Sequence, residues 1–179
     1  LRNEEIFTID GEDAKDLDDA VNVKKNADGT YTLGVHIADV SYYVKSGSKL
    51  DKEAITRGTS IYMMDRVIPM LPKELSNGIC SLNEQKDRFA MSVIMKINDK
   101  GKVIDADIFK SVIKTTRRMN YHDVNDIFKF ADMKDGKVEL ADEELARVNS
   151  VAEKYKAFIP HFLRMRELKT VLKQRRDLN

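Results

Sequence analysis

Ten residues near the amino end, Asp10-Gly-Glu-Asp-Ala-Lys-Asp-Leu-Asp-Asp19, carry six carboxylates against one Lys15, a local charge of −5 in a chain that totals +1. Apolar runs close the stretch on both sides, Ile6-Phe7-Thr8-Ile9 before it and Ala20-Val21 after it. That flanking restricts the segment to a loop joining two strands, with its acids gathered at one end of a sheet. Carboxylates this close repel one another until a cation neutralises them. Oxygen donors with open positions suit Mg²⁺, above all an ion that also meets phosphate oxygens. The same composition suits a solvated acidic turn, because Asp and Gly both favour turns. An EF-hand is a poor match, since Gly11 follows the first Asp directly and no Glu closes the loop. The local pattern leaves metal site and plain turn both open.

The remaining composition narrows the classes. At 179 residues, 42% hydrophobic and 34% charged, the chain is long enough for a core and too apolar for disorder. Neither a bilayer-crossing apolar run nor a signal peptide is present in it. The single Cys80 cannot form an internal disulfide and reads as a small buried hydrophobe, which points to a cytoplasmic, reduced setting. Between Glu153 and Asp177, eight basic residues outnumber three acidic ones, a charge of +5. Such a face suits a polyanionic partner, and equally a solvated helix.

Periodicity predicts strands over residues 5–9, 20–25 and 30–38, the last two joined by hairpin chemistry at Asn26-Ala-Asp-Gly29. A helix over Ser48–Arg57 has Ser48 to cap it and Gly58 to end it. Pro69 and Pro72 stiffen a connection before a helical turn near Lys73–Asn77. A strand pair spans residues 88–98 and 102–114 with a turn at Asp99-Lys100-Gly101, followed by a short helix over residues 121–130. From Asp142 a long helix runs to the C-terminus, with Pro160 kinking or interrupting it. The expected class is α+β: a mostly antiparallel mixed sheet flanked by helices, with a long C-terminal helix. That helix carries more apolar surface than the preceding residues promise to cover, so a homodimer or a domain swap is expected. The termini, Leu1-Arg2-Asn3 and Lys173–Asn179, read as the interior of a longer sequence.

Further segments follow the acidic loop in order: Val35-His-Ile-Ala-Asp-Val40, Gly47-Ser-Lys-Leu-Asp51, Tyr62, Ile68-Pro-Met-Leu-Pro72 and Leu75-Ser-Asn-Gly-Ile-Cys-Ser-Leu82. With the D-x5-D-x-D-D spacing from Asp10 to Asp19, this set resembles the catalytic (RNB) domain of the ribonuclease R and ribonuclease II family. The likeness is closer to the ribonuclease R branch, and runs from about Glu5 to Asp126, more loosely beyond. It implies a processive 3′→5′ exoribonuclease that uses Mg²⁺, one ion or two with Mn²⁺ a possible substitute, to release nucleoside 5′-monophosphates from single-stranded RNA. The family's catalytic and metal-binding aspartates fall on Asp10, Asp16, Asp18 and Asp19. Its base-stacking aromatics fall on Tyr62 and Tyr121. The family's catalytic domain is longer than this chain, and its later part supplies an arginine, a glutamate and another aromatic to the active centre. Residues 1–179 are therefore expected to be the N-terminal portion of one catalytic domain, inactive alone.

Elementary chemistry agrees with that mapping. Hydrolysing a phosphodiester needs an activated water, a stabilised anionic transition state and a neutralised leaving oxygen, all within reach of one or two Mg²⁺. Asp10 and Asp19, entering and leaving the loop beside strands, are the expected direct ligands. Asp18 points the other way if extended, with Asp16 assisting. His36 is expected to be structural. Lys49, Arg57, Arg66, Arg117 and Arg118 are candidates to meet phosphates. Two other readings stay open: an RNA-contacting or metal-binding unit with no catalysis of its own, and an enzyme acting on small phosphorylated metabolites. The second lacks any Gly-rich phosphate cradle in this sequence.

Overall fold

The computed structural model describes residues 1–177. Strands β1 (Ile6–Asp10), β2 (Asp19–Lys25) and β3 (Tyr31–Ala38) are followed by a short helix α1 (Val40–Tyr43), α2 (Lys49–Arg57) and a small hairpin of β4 (Ile61–Tyr62) and β5 (Val67–Ile68). A π-helical segment, Glu74–Ile79, leads to the long strands β6 (Asp87–Ile97) and β7 (Val103–Asn120). Helices α3 (Tyr121–Lys134), α4 (Asp142–Lys154) and α5 (Ile159–Asp177) complete the chain. The five longer strands close into a barrel in the order β1-β2-β3-β6-β7, antiparallel except where β7 runs parallel to β1. The expected mixed, mostly antiparallel sheet is present, curled shut.

A barrel of so few strands has a narrow bore, and its inward positions combine small and polar side chains with Ile6 and Ile113. Gly34 has no alternative there: a Cβ would lie 2.0 Å from Asn22 Oδ1 and 2.9 Å from His36 Nε2. His36 is fully buried, with Nδ1 2.7 Å from Ser92 Oγ and Nε2 3.2 Å from Asn22 Oδ1. Because the Asn22 oxygen can only accept, Nε2 carries the proton and Nδ1 accepts from Ser92. Burial holds this imidazole neutral, with its pKa pushed down to about 4. His36 is thus structural, as expected, and Cys80 is a buried free thiol.

Outward side chains meet the helices. Phe7 packs against Phe158 and Phe162 at ring separations of 5.4 and 5.0 Å, alongside Met119, Ile127 and Tyr155. Leu168 of α5 sits on Val23, Tyr31 and Ile97. Each such side chain taken fully from water contributes roughly 1.5–3 kcal/mol. The apolar face of α5 is therefore covered within the chain, and none of its large apolar side chains is exposed among the described residues. The expected dimer or swap rested on an uncovered face, so nothing in the fold calls for it. The C-terminal helix is interrupted, as expected, at Tyr155–Phe158 into α4 and α5, with Pro160 in the first turn of α5, where no helical N–H is lost. No helix among the described residues is long and apolar enough to cross a membrane.

Candidate functional site

The acidic segment is the β1–β2 connection. Asp10 is the last residue of β1 and Asp19 the first of β2, so both are held by barrel strands. The loop between them is pinned from inside and outside. Leu17 is fully buried, its N–H donates to Ser81 Oγ at 3.1 Å, and its carbonyl accepts from Leu82 N at 2.8 Å. Ser81 Oγ in turn donates to the Lys15 carbonyl at 2.9 Å, and Ala38 N donates to the Asp18 carbonyl at 2.9 Å. On the other flank, Arg118 Nη2 donates to the carbonyls of Glu12 and Ala14, each at 2.7 Å, and more distantly to Gly11 at 3.4 Å. A loop with five net negative charges keeps one shape because its backbone, rather than its side chains, is tied down.

The four aspartates feel one another. Burial raises the Asp10 pKa above the ordinary carboxylate value; Asp19 raises it next, Arg118 opposes, and Asp16 and Asp18 add smaller increments. Burial likewise raises Asp18, followed by repulsion from Asp16 and then Asp19. The strongest carboxylate neighbour of Asp10 is thus Asp19, and that of Asp18 is Asp16. Asp10 Oδ2 is buried with no hydrogen-bond partner, a costly state for a carboxylate oxygen. Among the described residues, however, no three His, Cys, Asp or Glu side chains are grouped so as to hold a metal ion. Oxygen donors with one orphaned oxygen fit Mg²⁺, which keeps several waters and takes one or two carboxylates plus substrate phosphates. They do not form a closed cage.

Two adjoining clefts, of about 460 and 380 Å³, share Asp16, Ser60, Tyr62 and Ser76. Asp18, Ile37 and Cys80 line the second, whereas Lys15 and Lys73 line the first. Tyr62 stands on the β4–β5 hairpin, and its hydroxyl donates to Asp16 Oδ2 at 2.9 Å, which raises the phenol pKa. At 68% exposure its ring is open to a planar ligand. Tyr121, 63% exposed, begins α3 immediately after Asn120, the residue paired with Asp10 across β1 and β7. It lines neither cleft.

The expected phosphate-binding cations are mostly engaged elsewhere. Arg117 pairs with Glu84 at 2.8 Å, Arg57 with Glu53 at 2.9 Å, and Arg118 with the loop carbonyls; Arg66 lies 4.0 Å from Asp65, while Lys49 lines neither cleft. Lys15, inside the acidic segment, and Lys73, which no motif marks, are the cleft cations. Ser81 and Arg118 as loop anchors also escaped sequence reading. Ser81 stands inside the Leu75–Leu82 segment, but nothing there says its hydroxyl turns to a loop more than sixty residues away in sequence.

Comparison with known proteins bears on this arrangement. The chain is 60% identical over 129 residues to ribonuclease R of Thermotoga maritima, covering 72% of this chain and 18% of that protein. It is 42% identical over 177 residues to ribonuclease R of Vibrio cholerae, covering 99% of this chain and 20% of the relative. The solved structure of Mycoplasma genitalium RNase R in complex with double-stranded RNA superposes with a TM-score of 0.68 at 33% identity, covering 85% of this chain and 26% of that one. The chain therefore spans about a fifth of the length of these curated relatives. A family model described as the RNB domain matches residues 1–178, and the chain belongs to that family.

Proposed function

We propose that residues 1–179 are the acid-bearing, N-terminal portion of one catalytic domain of a processive, cytoplasmic 3′→5′ exoribonuclease that releases nucleoside 5′-monophosphates. The observation that carries this reading is the orphaned Asp10 Oδ2 within a set of four mutually repelling aspartates, on a backbone-braced loop beside a cleft with an exposed tyrosine. Asp10 and Asp19 would hold a divalent cation, Mg²⁺ by preference with Mn²⁺ in its place, and Asp18 with Asp16 would serve a second ion or the attacking water. When bound, such ions supply an acidified water and charge stabilisation on the phosphorane-like transition state. Tyr62 positions the 3′-terminal nucleotide by stacking, held in place by Asp16, and Tyr121 stacks from the Asp10 side. Every base presents a π-face, so these contacts, each about 1–3 kcal/mol, suit a nuclease with little sequence preference. Lys15 and Lys73 meet the phosphates in the cleft.

The ungrouped state of the acids favours a second statement on catalysis: the chain alone is an RNA-contacting or metal-binding unit that does not cleave. The test is a 5′-labelled single-stranded RNA incubated with the pure chain and Mg²⁺, in parallel with the intact protein that carries it. Conversion of the RNA to short 5′-labelled end products by the intact protein, lost on Asp18→Asn, with no shortening by the isolated chain, is the expected result. An intact protein indifferent to Asp18→Asn overturns the catalytic reading. Shortening of the RNA by the chain alone overturns the second statement.

A further inference from the structure

We propose that Arg118 is a positioning residue, whose guanidinium holds the first half of the acidic loop in the shape that receives a divalent cation. This rests on the metal-binding reading above. The second half of the loop has its own anchors in Leu17, Ser81 and Leu82. Residues 11–13 are exposed, and a Cβ on Gly11 would meet nothing within 4 Å, so the partial packing of Ala14 against the core is all that burial contributes to this half. Its backbone is organised by one turn bond, Ala14 N–H to the Gly11 carbonyl at 3.2 Å, and by Arg118, on which the carbonyls of Gly11, Glu12 and Ala14 converge. Arg118 is itself rigid: it lies in β7, paired with Thr8 of β1, and its N–H donates to Glu84 Oε2 at 3.0 Å. Asp10 therefore sits two residues beyond Thr8 on a strand registered to β7, while the loop that follows it is tied to the same β7 residue. One side chain couples the strand-borne acid to the loop-borne ones.

Charge and position predict opposite signs, which makes the role separable. A guanidinium near Asp10 repels an incoming cation, so on charge alone its removal tightens divalent binding. As a brace, its removal frees the loop, and ordering it again at the moment of binding weakens affinity. Arg118→Lys divides the two: all three carbonyls are met by Nη2 alone, and lysine keeps the charge but is shorter and more flexible, so its ammonium does not hold that point.

Mn²⁺ affinity of the 179-residue chain, read by electron paramagnetic resonance, tests this with wild type, Arg118→Lys and Arg118→Gln. Amide exchange at Ala14, read without metal, reports the loop directly. Both variants are expected to lose affinity by about tenfold or more, the scale on which supporting partners of metal ligands act, with faster exchange at Ala14. Added guanidinium should restore part of the affinity to Arg118→Gln. Unchanged affinity in both variants, or tighter binding by Arg118→Gln, overturns the positioning role while leaving the metal site standing. A wild-type chain that binds no Mn²⁺ overturns the role and the metal reading together.

Discussion

At the scale of single residues, the acids at the loop work against the fold. Asp18 has a pKa raised by burial and by Asp16 and Asp19. A carboxyl raised above its unfolded value lends stability that is complete below the unfolded pKa and disappears as pH rises through the folded one. At neutral pH the charged Asp18 is therefore a net cost. Asp18→Asn is expected to stabilise the metal-free chain by on the order of 1 kcal/mol, the usual gain from relieving a like-charge contact. That is about 2–4 °C in melting temperature for a domain of this size. The difference should vanish below pH 4 and shrink at neutral pH when Mn²⁺ is added. His36 acts in the opposite sense, since its depressed pKa removes stability as pH falls from 6.5 towards 4. It contributes equally to both proteins and cancels from their difference. Melting curves of wild type and variant across pH 3–8 check this, and a wild type more stable than Asp18→Asn at pH 7 refutes it. The acidic loop between two strands was legible in the sequence because its residue types and spacing are local, whereas Tyr62 stood out only through the resemblance to a family. The loop's anchors Ser81 and Arg118 were not legible, because a serine or arginine acquires that role only from residues brought near by folding.

Among the elements, those with local signatures were legible and those made by distant pairing were not. The Asn26–Gly29 hairpin and the Ser48-capped helix fall where turn and capping chemistry put them, with Ser48 Oγ accepting from Asp51 N at 3.1 Å. Strand β7 runs six residues past its expected end, through the polar Thr115–Asn120, because that part pairs with β1 from the other end of the barrel. Strands β4 and β5, two residues each and all exposed, carry no alternation to read. One turn links local chemistry to tertiary packing. Gly29 and Gly101 both adopt positive φ, +82° and +72°, where a side chain costs about 1–2 kcal/mol. A Cβ at Gly29 meets open space, whereas at Gly101 it lies 3.1 Å from the Val171 carbonyl and 3.2 Å from Arg175 Cβ on α5. Gly101→Ala is therefore expected to destabilise more than Gly29→Ala, by about 1–3 kcal/mol of overpacking. Urea midpoints of the two variants measure the gap, and equal midpoints would show that α5 yields freely at that turn.

For the molecule as a whole, a net charge of +1 conceals two opposed poles. The acidic loop occupies the Asp19 end of β2, while α5 bonds the other end through Lys25 and Glu167 at 2.6 Å. Six residues of strand separate them, about 20 Å, or roughly two Debye lengths at physiological salt. An RNA strand could be drawn to the basic pole or received at the acidic one, and divalent ions tell the two apart by sign. At the acidic pole, metal-free aspartates repel phosphates, and Mg²⁺ converts that repulsion into a bridge. At the basic pole, Mg²⁺ only competes with lysine and arginine for the phosphates and weakens binding. On the proposed function, a labelled single-stranded RNA followed by fluorescence anisotropy should bind the chain on the order of tenfold more tightly in millimolar Mg²⁺ than in EDTA, a gain of about 1.4 kcal/mol. Replacing Asp10, Asp16, Asp18 and Asp19 together by Asn should strengthen the metal-free binding and abolish the response to Mg²⁺. Weaker binding on adding Mg²⁺, unchanged by the fourfold replacement, would place the RNA on α5 and remove it from the aspartates altogether.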